Sequence, residues 1–515
     1  MTDTLHNNKR IAKNTMLLYI RMLVIMGISF FTVRVILEKL GIVDYGIYNV
    51  VGSVVVMFSF LKTSLTSASQ RFFAYSIGKG NNIVSLTNLF KTNIFFYLIV
   101  CGIIIILAET IGLWFLNNKL VIPDERLFAA NWTYQMSILA FVISTMMVPY
   151  ESVITAHENM DIYAYLSIIE SVLKLIIVYC LSICSFDKLI LYSVLVTISS
   201  FIVFILYSLY CTYRYDECKW GIYYNKHSFR EIANYTSWNI VGTLASVFNV
   251  QGSDVILNIF FGPSVNGARA IANQIIGIST RFSSNFFTAV RPRLIKLYAE
   301  KALDEMFLLV ERSARFTYFL IFFISIPLLF QLDFVLKIWL GKIPDYVMTF
   351  AKLSVISILI DSLSNPLVTV AQATGKIKKY QAILSIILIL GVPISYVLLN
   401  FIKDENIIFY VLIAISLSSL IARLLLLKQM VGISIGLFIK TVVFRVLSTS
   451  LIVLLLSHFA LSFHYDVQND WLKFIINSFV ILFIEFCTVF FVGITTQERF
   501  YLMNFIRKKI FKKYA

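Results

Sequence analysis

Runs of about twenty consecutive apolar residues recur from one end of this chain to the other, and no other feature restricts its folding as much. A helix of that length crosses a hydrocarbon core of about 30 Å. Inside lipid every backbone N–H and C=O must be satisfied within the protein, which leaves the helix as the form these runs can take. Fourteen spans are read, at 15–37, 46–66, 93–116, 132–154, 163–184, 189–211, 237–260, 265–290, 316–337, 348–372, 381–401, 406–427, 439–460 and 472–493. Composition agrees: 14% of the 515 residues are charged, where a soluble domain carries about one quarter. The expected class is an all-α polytopic membrane protein with no sizeable soluble domain.

The N-terminus, "MTDTLHNNKRIAKN", is polar and basic, and no small-residue cleavage site follows the first apolar run, so that run is read as a retained helix. The formal net charge of +16 raises the question of nucleic acid. With the N-terminus inside, however, cytoplasmic segments hold about 27 of the 44 Lys and Arg and outside loops about eight. Lys9, Arg10, Arg291, Arg293, Lys296 and the tail cations Arg507, Lys508 and Lys509 are examples. That asymmetry is the positive-inside pattern, and it puts both termini in the cytoplasm. The basic excess therefore reads as topology and attraction to anionic membrane lipids rather than nucleic-acid binding. The six cysteines form no CxxC pair, the five histidines have no metal-ligand spacing, and no Walker loop, GxSxG or HExxH occurs. No catalytic residue, metal or cofactor is expected.

The chain resembles itself at an offset near 220. "RIAKNT" (10–15) corresponds to "EIANYT" (231–236), "VRVIL" (33–37) to "SDVIL" (253–257), and Gly41 and Gly46 to Gly262 and Gly267. Independently, "PYESVITAHENMDIY" (149–163) matches "PLVTVAQATGKIKKY" (366–380) at an offset of 217. Six helices per repeat give both halves one orientation, related by an axis along the membrane normal, as in many secondary transporters. The expected organisation is an N-terminal six-helix lobe (1–211), a cytoplasmic linker (212–235), a C-terminal six-helix lobe (236–428), and helices 13–14 with a basic tail (429–515). Pro149, Pro327, Pro366 and Pro393 supply kinks within spans.

Two spans are conspicuously polar. Helix 7 places Asn239, Thr243, Ser246, Ser253 and Asp254 within about 120° of arc, and helix 8 carries Arg269, Asn273, Thr280, Arg281 and Ser284. Interhelical hydrogen bonding accounts for the neutral groups, but not for Arg281 near mid-depth. Basic residues also lie within other spans. Lys62, Lys352, Arg423 and Arg445 are near enough to an end to snorkel, and Lys174 follows Glu170 at pairing distance. Arg21, Arg34, Arg269 and Arg281 belong to the first two helices of each half. An arginine at the bilayer centre costs about 2.5–3.5 kcal/mol on insertion scales, so these four are read as facing a cationic, water-filled cavity that selects an anionic cargo. Arg21 and Arg34 stand about 140° apart on an ideal helix, so both face it only if the helix bends or one lies at the rim. Three further expectations follow. Arg34 and Asp254, equivalent at offset 220, form an outer latch; Asp361, alone near the middle of helix 10, is a gating or ion-coupling residue or has a fixed partner; Glu485 pairs with Arg445.

The segment "LGIVDYGIYNVVGSVVVMFSFLKTSLTSASQRFFAYSIGKGN" resembles bacterial polysaccharide-export flippases of the Wzx type, through Leu40-Gly41, Tyr45-Gly46 and Ala68…Arg71. These belong to the superfamily that also holds lipid II flippases and multidrug and toxin extrusion transporters, and the likeness in layout covers essentially the whole chain. The resemblance implies a flippase of the bacterial inner membrane. It would move an undecaprenyl-pyrophosphate-linked oligosaccharide, as for O-antigen or other lipopolysaccharide, to the outer leaflet by alternating access. It also implies a substrate lumen formed here by Arg21, Arg34, Lys62, Arg269 and Arg281, with Asn239 and Asn273 hydrogen-bonding sugar, and polysaccharide polymerase machinery as a partner. Arginine pairs well with a diphosphate. The driving force stays open between H⁺, Na⁺ and membrane potential. Alternatives are a lipid II flippase, a multidrug–cation antiporter and a glycan polymerase. The antiporter is disfavoured because helices 1 and 2 lack an intramembrane carboxylate; the polymerase, because the outside loops are short.

Overall fold

A computed structural model describes residues 2–56, 58–80, 82–119, 122–183, 186–340, 345–462, 469–500 and 503. The basic tail beyond 503 and the side chain of Arg34 lie outside the described residues. Among the described residues the chain is helical with no strand, as the apolar runs require.

Among the described residues seventeen helices follow one another. In the first half they are α1 (Thr2–Val56), α2 (Ser59–Gly78), α3 (Ile83–Leu107), α4 (Leu113–Lys119), α5 (Leu127–Met146), α6 (Val148–Ala156), α7 (Met160–Ile183) and α8 (Lys188–Arg214). The second half has α9 (Lys226–Ala299), α10 (Leu303–Phe330), α11 (Leu332–Leu340), α12 (Val347–Thr374), α13 (Lys378–Phe401), α14 (Ile407–Val431), α15 (Ile435–Phe438), α16 (Phe444–Ser462) and α17 (Asp470–Thr488). Eleven helical segments among the described residues are long and apolar enough to cross a membrane. They correspond to eleven of the fourteen expected spans. The first two expected spans fall within α1 and the start of α2, and the eighth is the second part of α9.

Local chemistry sets several boundaries. The Asp187 carboxylate accepts the Leu189 and Ile190 amides at 3.0 and 3.1 Å and so caps α8. Asn225 does the same for α9 through His227 and Ser228, and Asn469 for α17 through Trp471 and Leu472. The span at Asp124–Ala156 breaks at Met147, because Pro149 has no N–H to continue the ladder. Pro327, Pro366 and Pro393 are carried inside continuous helices. The 74-residue α9 is divided at Gly262, whose φ of 77° and ψ of −175° only glycine adopts without strain. Gly262, one of the glycines matched in the repeat, thus marks a real bend.

The chain forms two compact units. The first comprises residues 1–244 together with 289–302 and 375–381; the second comprises 245–288, 303–374 and 382–515. The first has one apolar core around Ile47, Val51, Leu116, Ala130 and Tyr134 and another around Leu65, Phe72, Tyr97, Ile232 and Ile377. The second is built on Leu257, Ala272, Leu336, Phe350, Ile408 and Phe409. In lipid such packing is stabilised by close contact and interhelical hydrogen bonds rather than by exclusion of water.

Candidate functional site

The first unit gathers polar groups inside its helices. Arg21, on α1, stacks over the Tyr163 ring with its guanidinium carbon 4.6 Å from the centroid. Its Nε is buried with no hydrogen-bond partner among the described residues. Lys62, on α2, is half-buried. Both cations act electrostatically on the carboxyl of Glu151 on α6. Lys174 and Glu170 pair at 2.7 Å, as their spacing predicted. The sequence reading overlooked Glu151, although it lies within the repeated "PYES" motif. Its signal was its position, a carboxylate well inside an apolar run.

A second feature joins remote parts of the chain within the same unit. Just past the end of α6, Glu158 lies in the left-handed region at φ 61°; just past α12, Gly375 does so at φ 72°, 217 residues later. That separation is the offset of the second sequence match. The two turns are engaged reciprocally. Lys296, near the end of α9, reaches the Glu158 carboxylate at 2.9 Å in a largely buried pair, and Asn14 of α1 donates to the Glu158 carbonyl at 3.0 Å. Arg71, on α2, lies against Gly375. Gly78 lets α2 approach the α9 backbone at Lys296.

Polar contacts close the rest of this junction. Asn239 donates to the Ser64 carbonyl at 3.1 Å and accepts from Gln381 at 3.3 Å. The Thr243 and Ser64 hydroxyls are 3.1 Å apart, and Arg291 donates to Ser67. Asn239, expected to bind sugar, is buried in this network.

At another place in the unit, Arg126 bridges two aspartates, Asp44 and Asp187, the latter at 2.5 Å. Burial works to raise the Asp187 carboxyl, but hydrogen bonds from Arg126 and from the α8 amides outweigh it and hold the group below its ordinary value. Glu217 behaves likewise: burial opposes ionisation, and the 2.6 Å bond to His157 prevails.

The second unit holds the other sequence candidates. Arg269 is 3% exposed and pairs with Asp254 at 2.9 Å, beneath the ring of Phe409. Asp254 thus has a partner on its own helix pair, and its expected partner Arg34 lies outside the described residues. Arg281, Asn273 and Asp361 are exposed on this unit. The pairing of Glu485 with Arg445 requires correction. Glu485 is fully buried, and neither carboxyl oxygen meets a hydrogen-bond partner among the described residues. Arg445 donates to the Val492 and Ile494 carbonyls at 3.3 and 3.1 Å. The wider turn at Val489–Gly493 ends the helix there, leaving terminal carbonyls that need donors. Sequence also gave no sign of the Glu498 carboxylate, which takes Arg315 at 2.6 Å and Arg312 at 3.2 Å.

Comparison with known proteins agrees with this architecture. A family model for polysaccharide biosynthesis proteins matches residues 11–298, more than half of the chain. No curated protein matches at a significant level. Among solved structures, an outward-facing multidrug resistance MATE family transporter of the MOP superfamily superposes with a TM-score of 0.67 and 14% identity, over 82% of this chain and 95% of that one. The Vibrio cholerae MATE transporter VcmN in its bent form gives 0.68 and 15%, over 83% and 99%. A MATE structure in the straight conformation gives 0.70 and 12%, over 82% and 96%. At such identities the likeness is one of fold, and the fold is that of a membrane transporter. The chain belongs to the polysaccharide biosynthesis protein family.

Proposed function

We propose that this protein is a flippase that moves an undecaprenyl-pyrophosphate-linked oligosaccharide from the cytoplasmic to the outer leaflet by alternating access. The observation that carries the reading is Arg21, a cation in an apolar stretch of α1 whose Nε is buried without a hydrogen-bond partner among the described residues. A buried guanidinium donor in that setting is costly until an anion meets it, and a diphosphate offers the matching acceptors. Lys62, half-buried on α2, adds a second charge.

In this reading the reciprocal junction is the gate on the side of the N-terminus, which the excess of cations assigns to the cytoplasm. Polymerase machinery acts on the delivered glycan, and anionic lipids meet the basic termini.

The test is translocation of a fluorescent polyprenyl-diphosphate oligosaccharide in reconstituted vesicles. Arg21→Ala abolishes translocation while the protein still inserts, and Arg21→Lys restores part of it, since lysine does not chelate bidentately. Wild-type rates in the Arg21→Ala variant would refute the reading. Glu151 supports a second reading, a multidrug–cation antiporter, because it supplies the acidic group missing from the first two spans. That reading requires cationic-dye efflux that Glu151→Gln removes.

A further inference from the structure

A cavity of about 540 Å³ opens in the first unit where the end of α2, the start of α3 and the start of α9 meet. Small-molecule sites occupy about 300–1,000 Å³, so its size suits a ligand of one or two rings. Arg71 and Lys79 bring two positive charges to its wall against one carboxylate, Glu231. Arg71 is 4% exposed. Its guanidinium is steered by the rings of Phe72 and Tyr75, 4.6 and 4.9 Å away, and meets the half-exposed Glu231 only at 3.6 Å. Asn82, Ser85, Asn88 and Ser228 add amides and hydroxyls, and Tyr75 and Tyr223 also line the wall.

We propose that this cavity binds a sugar phosphate. Arginine and lysine take the phosphate, while the amides and hydroxyls exchange hydrogen bonds with sugar hydroxyls and the tyrosine rings pack against the apolar face of the sugar. Neither a purely apolar ligand nor a cation suits such a wall. Arg71 also lies against Gly375 in the junction, so the ligand engages a residue that holds the junction closed. The site stands apart from Arg21 and Lys62, and it rests on the transport reading only for the source of its ligand, a lipid-linked headgroup or a soluble glycosyl phosphate.

Calorimetric titration of the purified full-length chain with glucose 1-phosphate, with sulfate as the control, tests the proposal. Glucose 1-phosphate binds saturably and sulfate at least tenfold more weakly. Lys79→Gln and Ser85→Asp each weaken the sugar phosphate at least tenfold. Ser85 lies in the first turn of α3, where an aspartate favours the helix, so its effect is not one of unfolding. Vesicles of phosphatidylglycerol with and without undecaprenyl-diphosphate glycan separate the sources: competition by the glycan lipid identifies a lipid headgroup, and its absence a soluble ligand. Failure of glucose 1-phosphate to bind, or equal affinity in the wild type and both variants, overturns the proposal. A chain that translocates glycan lipid yet gives either of those results refutes the cavity alone. One that binds through Lys79 and Ser85 but translocates nothing refutes the transport reading alone.

Discussion

Replacing Gly78 by alanine tests whether the junction in the first unit is a gate. A Cβ at Gly78 would stand 2.8 Å from the Lys296 Cα, 2.9 Å from its carbonyl oxygen and 3.1 Å from the Ala299 Cβ. Two of these three atoms are backbone and cannot rotate away. Ordinary contact begins at 3.4 Å, so α2 and α9 must part by about 0.6 Å. Overpacking of this kind costs about 1–3 kcal/mol. Applied to the balance between closed and open junction, that is a shift of about 5–150-fold. The reporter is the pair Ser64 and Thr243, whose hydroxyls are 3.1 Å apart near the start of α2. In a background stripped of native cysteines, Ser64→Cys and Thr243→Cys are oxidised to a cross-link. Gly78→Ala lowers its yield, Gly78→Val lowers it further, and both slow translocation. Unchanged cross-linking and an unchanged thermal midpoint across the series would refute the assignment of Gly78 to the closed gate.

Four other outcomes are expected. Arg315 is 2% exposed and bound to Glu498 and to the Thr441 carbonyl. Arg315→Met therefore leaves the buried Glu498 carboxylate with Arg312 as its one remaining cation and lowers the unfolding free energy by about 1.5–3 kcal/mol, read by thermal unfolding in detergent. Glu485→Leu removes two buried oxygens that have no partner among the described residues and raises stability by about 1–3 kcal/mol; a lower midpoint would show that the carboxyl has an essential partner. Gly262→Ala forces a side chain into a conformation reserved for glycine and costs about 1–3 kcal/mol, visible in the same assay. The Asp187 carboxyl is held below its ordinary value of 3.8, so its contribution is present above that pH and lost as the pH falls through the lower folded value. Asp187→Asn removes this acid-side slope in a pH series of thermal midpoints, and an unaltered slope would contradict the Arg126 pairing.

Much of the architecture was legible because it depends on short stretches of chain. Each apolar run declares a helix wherever it sits, and Asp187, Asn225 and Asn469 cap helices through amides two and three residues away. Gly262 was marked by the repeat, and its bend is a property of its own dihedral angles. The candidate site was legible only in its residue types. Arg21 and Lys62 stood out as cations in apolar helices, but Glu151 passed unnoticed because nothing nearby in sequence shows that it faces them. Glu485 and Arg445 have similar depths, yet the wide turn at Val489–Gly493 presents carbonyls that take the arginine instead.

By itself, then, the sequence determined that this chain lives in a membrane as apolar helices. The reason is that a bilayer requires each run of about twenty residues to close its own hydrogen bonds. Only the tertiary structure decided which polar groups meet. Lys296 and Glu158 are 138 residues apart, Asn239 and Ser64 are 175 apart, and Glu158 is turned toward its partner by a left-handed residue that no sequence rule required. Water is not there to satisfy such groups, so their pairing depends on how distant helices pack, and that geometry is not written in any one stretch of chain.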